Sequence, residues 1–109
     1  MAKFYILNSA VITTPGNYYY QLIPLQKAIE WLKTHQWEST LGYQETADAL
    51  EALTGIRIPV NRKLIRMQTG DEALIFRLTK RLDNVDLKGK VGVQFVMDNC
   101  EIGILKKLG

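Results

Sequence analysis

The segment Leu41-Gly42-Tyr43-Gln44-Glu45-Thr46 opens an amphipathic stretch that runs to Thr54 and ends at Gly55. The apolar positions of this stretch recur at helical spacing: Tyr43, Ala47, Leu50 and Leu53. A glycine just beyond such a stretch occupies the place where helices end in a left-handed residue. We therefore predict a helix from about Tyr43 to Thr54. Its first-turn N–H groups have no intrahelical acceptor, so they could hold an anion.

A second helix and a set of short strands surround this segment in the predicted fold. Pro24 is a helix-start signal, and apolar residues follow it at helical spacing up to Leu32. The strand-like segments are 3–7, 18–23, 56–60, 63–67, 73–78, 91–97 and 102–105. We predict one α+β domain spanning residues 1–109. Two main helices pack there on a mixed, mostly antiparallel sheet of about five or six strands.

Turn signals suggest how the strands connect. The Pro-Gly pair within 13–17 favours pairing of the first two strands across that loop. The turn Thr69-Gly70-Asp71 separates 63–67 from 73–78 and predicts a hairpin. The polar segment 83–90 is predicted to be a loop.

Composition narrows the possible functions. The chain has 109 residues, a net charge of +3, one histidine and one cysteine, Cys100. A single cysteine allows no intrachain disulfide, and the acidic residues are dispersed, so we predict neither a metal site nor a cofactor. No segment resembles a signal peptide or a membrane span, which predicts a cytoplasmic protein without a membrane partner. The mild positive charge suits a small anionic ligand better than duplex nucleic acid.

Several short motifs occur in a characteristic order. They are Leu7-Asn8-Ser9, Leu41 to Ala47, Leu53 to Ile56, Val60-Asn61-Arg62, Thr69-Gly70-Asp71 and Arg81-Leu82. In this order they resemble the viral and mobile-element ring nucleases of type III CRISPR immunity, anti-CRISPR proteins that open cyclic tetra-adenylate. The resemblance implies a homodimer whose two-fold cavity holds the cyclic nucleotide. It also implies metal-independent cleavage, in which a ribose 2′-hydroxyl attacks the adjacent phosphate.

The resemblance also assigns roles to individual residues. The catalytic positions are Tyr43, Arg81 and Asn84, with Tyr43 in place of the family's histidine and Asn84 in place of a glutamate. The ligand-binding positions are Asn8, Glu45, Thr46, Asn61, Arg62 and Arg77. A phenol titrates far above neutral pH, whereas an imidazole titrates near it, so Tyr43 would exchange protons less readily than histidine. Loss of a positioned general acid typically costs about 10²–10⁴-fold in rate.

The same residues also have plain structural interpretations. Tyr43 could belong to the buried face of its helix, Arg62 and Arg81 could be surface charges, and Asn8 could close a turn. Glu45 in a first helical turn would oppose a phosphate there, so contact with ribose or base fits it better. Three functions therefore stay open: a ring nuclease, a non-catalytic sponge for cyclic oligoadenylate, and a structural dimerisation protein of a virus or mobile element.

Overall fold

The structure is a computed structural model that describes residues 2–79 and 89–109, without the side chains of residues 89–92. Five strands and three helices make up this part of the chain. In order they are β1 (Phe4–Leu7), β2 (Tyr18–Leu22), α1 (Leu25–Thr34), β3 (Trp37–Ser39), α2 (Gln44–Thr54), β4 (Glu72–Leu78), α3 (Gly89–Asp98) and β5 (Cys100–Lys107).

The five strands form one mixed sheet in the order β2-β5-β4-β1-β3. β1 lies parallel to both β3 and β4, whereas β5 lies antiparallel to β2 and β4. The predicted α+β class and mixed sheet are confirmed. The sheet contains two parallel and two antiparallel pairings, and the parallel pairs bring the carboxyl ends of β1 and β4 to the same edge.

Both predicted helices are present. α2 begins at Gln44 and ends at Gly55, which adopts the left-handed conformation with φ of 75° and donates its N–H to Glu51 O. α1 follows Pro24, as the sequence predicts. Among the described residues no helix is both long and apolar enough to cross a membrane.

Two strand pairings predicted from turn signals are wrong. β2 pairs with β5, not with β1, so the loop 13–17 joins strands at distant positions in the sheet. Segments 56–60 and 63–67 form no strand, and the predicted hairpin is absent from the described part of the chain. Their apolar residues Ile58 and Met67 are nevertheless buried, because the segments pack against the domain without continuing its ladder. The three-residue strand β3 was too short for its pattern to be recognised.

The predicted strand 91–97 is a helix, α3. Its apolar residues alternate, but Val93, Val96 and Met97 are also spaced three and four residues apart, and all three contribute to the core. α3 packs against α2. Of the predicted loop 83–90, residues 83–88 lie outside the described residues, and residues 89 and 90 already belong to α3.

Alternate residues of the strands point to two separate apolar clusters. Ile6, Leu74 and Phe76 join one cluster with residues of all three helices. Tyr5 and Ile75 join the other cluster, where Met67 and Ile65 of segment 63–67 pack against the opposite face of the sheet. The helices therefore cover one face, and the N-terminus of α2 comes to lie beside the ends of β1 and β4.

Candidate functional site

A cavity of about 210 Å³ lies beside the carboxyl ends of β1 and β4 and the N-terminus of α2. It is lined by Asn8, Ser9, Tyr43, Thr46, Phe76, Arg77 and Leu78. Ligands in proteins with parallel strands commonly bind at this edge, where strand ends and helix N-termini converge. Asn8 and Ser9 follow β1 directly, and Arg77 and Leu78 end β4. The cavity is therefore a candidate binding site created by the parallel pairing of β1 and β4.

The N-terminus of α2 opens toward this cavity without a side-chain cap. Tyr43 is the N-cap residue, has extended backbone angles, and makes no side-chain hydrogen bond to the first turn. Its carbonyl accepts the Ala47 N–H at 3.2 Å, which is the first bond of the helix. The N–H groups of residues 44–46, in the first turn of α2, have no intrahelical acceptor, and the helix dipole adds partial positive charge there. An anion in the cavity would be stabilised by these groups.

Tyr43 is on the surface. Its side chain is 54% exposed, so its interpretation as a residue of the buried helix face is wrong. The reason is its position before the helix, where an extended backbone turns the side chain away from the stripe of Ala47 and Leu50. Thr46, one turn into the helix, is buried and lines the cavity, whereas Glu45 is half-buried and is not among the described lining residues.

Arg62 lies against Tyr43. The Arg62 guanidinium carbon is 5.1 Å from the centroid of the Tyr43 ring, within the range of a cation–π contact. Arg62 is exposed, and it reaches this position from the irregular segment that follows α2. The predicted ligand-binding Arg62 and the predicted catalytic Tyr43 are thus brought together next to the cavity.

Asn61 fixes the backbone from which Arg62 projects. The Asn61 side-chain amide donates to Ser39 O at 2.9 Å, and its backbone N–H donates to Leu41 O at 2.9 Å. The Ser39 hydroxyl donates to Pro59 O at 2.6 Å, which ties the same two segments together a second time. The side chain of Asn61 is therefore engaged in the fold, and ligand contact by Asn61 stays a prediction.

Arg77 is paired with an acid that the sequence interpretation did not include. Its Nε is 2.6 Å from a carboxylate oxygen of Glu101, its direct cross-strand neighbour on β5. The hydroxyl of Tyr20 is buried in the same region, and no described residue is a hydrogen-bond partner for it. Burial, followed by the negative charge of Glu101, raises the pKa of Tyr20. Arg77 lines the cavity with its charge partly neutralised.

Four of the predicted site residues line the cavity itself: Asn8, Tyr43, Thr46 and Arg77. Arg62 and Asn61 lie next to it through the contacts above. Arg81 and Asn84 lie outside the described residues. Within 2–79 and 89–109 no group of three or more histidine, cysteine or acidic residues is arranged to hold a metal ion.

Residues 4–94 match the sequence model of the STIV B116-like family. The chain belongs to the STIV B116-like family. The chain is 40% identical to protein YddF of Bacillus subtilis over 77 residues, which cover 69% of this chain and 71% of YddF. It is also 30% identical to ORF117 of Acidianus two-tailed virus over 83 residues, 72% of this chain and 71% of that protein.

A further viral relative and a solved structure extend the STIV B116-like match. Protein 26 of Sulfolobus islandicus filamentous virus is 34% identical over 91 residues, which cover 80% of this chain and 74% of that protein. The solved structure of B116 of Sulfolobus turreted icosahedral virus superposes with a TM-score of 0.77, covering 96% of this chain and 99% of B116 at 18% identity. At that identity the superposition establishes the shared fold alone.

Proposed function

We propose that the protein binds a cyclic oligoadenylate, with cyclic tetra-adenylate the first choice, and opens it without a metal ion. The observation that supports this is the shared cavity of Asn8, Tyr43, Thr46 and Arg77 at an uncapped helix N-terminus. The resemblance to the ring nucleases assigns all four of these residues to the site. They come from three separate segments, and the fold brings them to one cavity.

The cavity suits a phosphodiester. Free N–H groups at a helix start bind phosphate oxygens, and the guanidinium of Arg62 has a planar fork that matches them. Asn8 offers amide donors and an acceptor for a ribose or an adenine edge. Because these groups are donors or cations, they would also stabilise the negative charge that develops on the phosphate oxygens during the reaction.

The proposed reaction is an internal transfer. A ribose 2′-oxygen attacks the neighbouring phosphorus and loses its proton to solvent, the bond from phosphorus to the 5′-oxygen breaks, and the leaving 5′-oxygen takes up a proton. The products are a 2′,3′-cyclic phosphate and a free 5′-hydroxyl. The Tyr43 hydroxyl is the proposed donor to the leaving oxygen and regains its proton from water. Arg62 would hold the phosphate, and Arg81 would assist as the resemblance implies.

The proposal includes a cytoplasmic homodimer. One cavity of about 210 Å³ is smaller than the roughly 300–1,000 Å³ of sites for drug-sized ligands, so a ring of four nucleotides needs more than one of them. Exposed apolar side chains offer area for a second copy to bury: Leu64 is 99% exposed and Ile12 is 61% exposed. Sedimentation velocity should give the mass of two chains. The mass of one chain would contradict this part of the proposal.

Incubation of the purified protein with radiolabelled cyclic tetra-adenylate in EDTA tests the function. Linear products ending in a 2′,3′-cyclic phosphate are expected on chromatography, together with a shifted complex on a native gel. Tyr43→Phe removes the hydroxyl and keeps the ring, so cleavage should fall about 10²-fold or more while binding is retained. If Tyr43→Phe cleaves like the unaltered protein, Tyr43 is not the proton donor. If the protein neither binds nor cleaves the ring, the function is refuted.

A second candidate is a sponge that sequesters the ring intact. The exposed phenol of Tyr43 favours it, because no side chain that titrates near neutral pH lines the described cavity. Tight binding with no product after prolonged incubation would establish this function. A homodimer that binds no ring would instead indicate the third possibility, a structural dimerisation protein.

A further inference from the structure

The guanidinium of Arg62 lies between Gly42 and the ring of Tyr43. A Cβ atom placed on Gly42 would be 2.6 Å from Arg62 Nε and 3.2 Å from its Nη2. On the other side the guanidinium carbon is 5.1 Å from the centre of the Tyr43 ring. Gly42 and the flat ring of Tyr43 thus enclose the guanidinium from two sides, and we call this pair of residues the Arg62 seat.

The requirement for glycine at position 42 is one of space. The described glycines with a positive φ are Gly16, Gly55 and Gly70, so the backbone of Gly42 is one that other residues adopt. The three atoms nearest to the added Cβ, all within 3.3 Å, belong to the Arg62 guanidinium group. Arg62 is exposed, so its long side chain has room to shift. An alanine at position 42 would therefore move the guanidinium and leave the backbone in place.

The electrostatic surroundings of the Arg62 guanidinium suggest why it is held at this position. The seat adjoins the N-terminus of α2, whose dipole end is itself partly positive, so the guanidinium is held where the local field opposes a cation. The contact with the ring face offsets part of this cost, since exposed cation–π contacts are weakly favourable. An anion between the guanidinium and the helix N–H groups would interact favourably with both. The position of Arg62 is thus suited to the bound state.

We propose that Gly42 and the ring of Tyr43 are positioning residues that hold the Arg62 guanidinium beside Tyr43, a residue of the cavity lining, for a phosphate of the ligand. The part that concerns the ligand rests on the proposed function, whereas the seat itself does not. Tyr43 then has two separable roles, because its ring positions Arg62 and its hydroxyl serves the proposed cleavage.

Nuclear magnetic resonance of the arginine Nε–H groups tests the seat without ligand. The Arg62 resonance is assigned by its disappearance in Arg62→Lys. The ring current of Tyr43 should shift this resonance away from the position of exposed arginines. Gly42→Ala and Tyr43→Leu should both remove that shift, whereas Tyr43→Phe should retain it. Thermal melting of Gly42→Ala should match that of the unaltered protein. Tyr43→Leu changes an exposed side chain and provides a second test of the same contact if Gly42→Ala misfolds.

Binding of cyclic tetra-adenylate tests the consequence. Gly42→Ala and Tyr43→Leu should each raise Kd about tenfold, the loss expected for one charge-assisted contact, and Tyr43→Phe should leave Kd unchanged. Neither variant should add to the loss caused by Arg62→Ala, because all three remove the same contact.

The outcomes separate the two proposals. If the unaltered protein binds no ring but the resonance shifts as expected in each variant, the seat is supported and the proposed function is refuted. If the protein binds the ring while Gly42→Ala changes neither the resonance nor Kd, the seat is refuted and the function stands. The seat is also refuted if Tyr43→Phe loses as much affinity as Tyr43→Leu, since the Tyr43 hydroxyl would then be the binding group.

Discussion

We expect the Asn61 side chain to stabilise the fold rather than contact the ligand, and the substitution Asn61→Ala distinguishes these two roles. Its side-chain amide donates to Ser39 O at 2.9 Å, and Ser39 is almost completely buried on β3. β3 is an edge strand that pairs only with β1 among the described strands, so the Asn61 amide serves an edge carbonyl that lacks a neighbouring strand. Asn61→Ala would leave that carbonyl without this donor.

The expected cost follows from these contacts. A buried backbone acceptor that loses its partner costs about 1–3 kcal/mol, so we expect a loss of about 2 kcal/mol in the free energy of unfolding. For a domain of this length that corresponds to a fall of about 8 °C in melting temperature. Asn17→Ala is the matched control, because the Asn17 side chain is exposed and only its backbone is hydrogen-bonded among the described residues. It should change stability by less than about 0.5 kcal/mol.

Urea unfolding followed by circular dichroism measures both variants, and ring binding is measured at a temperature where each is folded. Asn61→Ala should be less stable than the unaltered protein. Its affinity for cyclic tetra-adenylate should fall only as far as the substitution displaces Arg62. If Asn61→Ala is as stable as Asn17→Ala and binds no ring, Asn61 contacts the ligand directly and the structural role is refuted.

Two further substitutions test the fold outside the cavity. Asp71 is buried and accepts the N–H groups of Lys3 at 2.9 Å and Gln68 at 2.8 Å, so Asp71→Ala should lower the free energy of unfolding by about 2–3 kcal/mol in urea titrations, and an unchanged midpoint would contradict this role. Tyr20→Phe removes a buried hydroxyl with no described partner and should stabilise the protein by about 1 kcal/mol; a clear loss would show that the hydroxyl has a partner. Burial raises the pKa of Tyr20 in the folded state. The protonated phenol therefore contributes its full share to the free energy of unfolding below the unfolded-state pKa of about 10, and this share is lost as the pH rises further. The alkaline fall in stability should therefore be smaller in Tyr20→Phe than in the unaltered protein.

Local signals in the sequence were sufficient for several elements. The helix α2 combines an apolar stripe with a glycine at its end, and the structure ends it at Gly55 in the left-handed conformation. The short strand-like segments of the sequence likewise predict β1, β2, most of β4 and the middle half of β5. In these segments the residue propensities, the spacing of apolar residues and the termination signals all favoured the same type of secondary structure.

Other elements depended on contacts that the sequence does not display. Residues 91–97 alternate like a strand, yet they fold as α3 because their helical spacing also presents an apolar face to α2. The segments 56–60 and 63–67 look like strands, but Asn61 binds loop backbone and Met67 covers the outer face of the sheet. A short apolar pattern fits more than one partner, and only the assembled domain selects one.

By itself the sequence determined that the chain forms one α+β domain, and it predicted the residues of the candidate site. It placed Asn8 after the first strand and Tyr43 at the start of a helix, and it provided the family resemblance. Only the tertiary structure decided that Tyr43 is exposed, that Arg62 is seated on it, and that Arg77 is paired with Glu101. The physical reason is that local spacing fixes the direction of a side chain within its own element, whereas strand order and packing decide which distant side chains it meets.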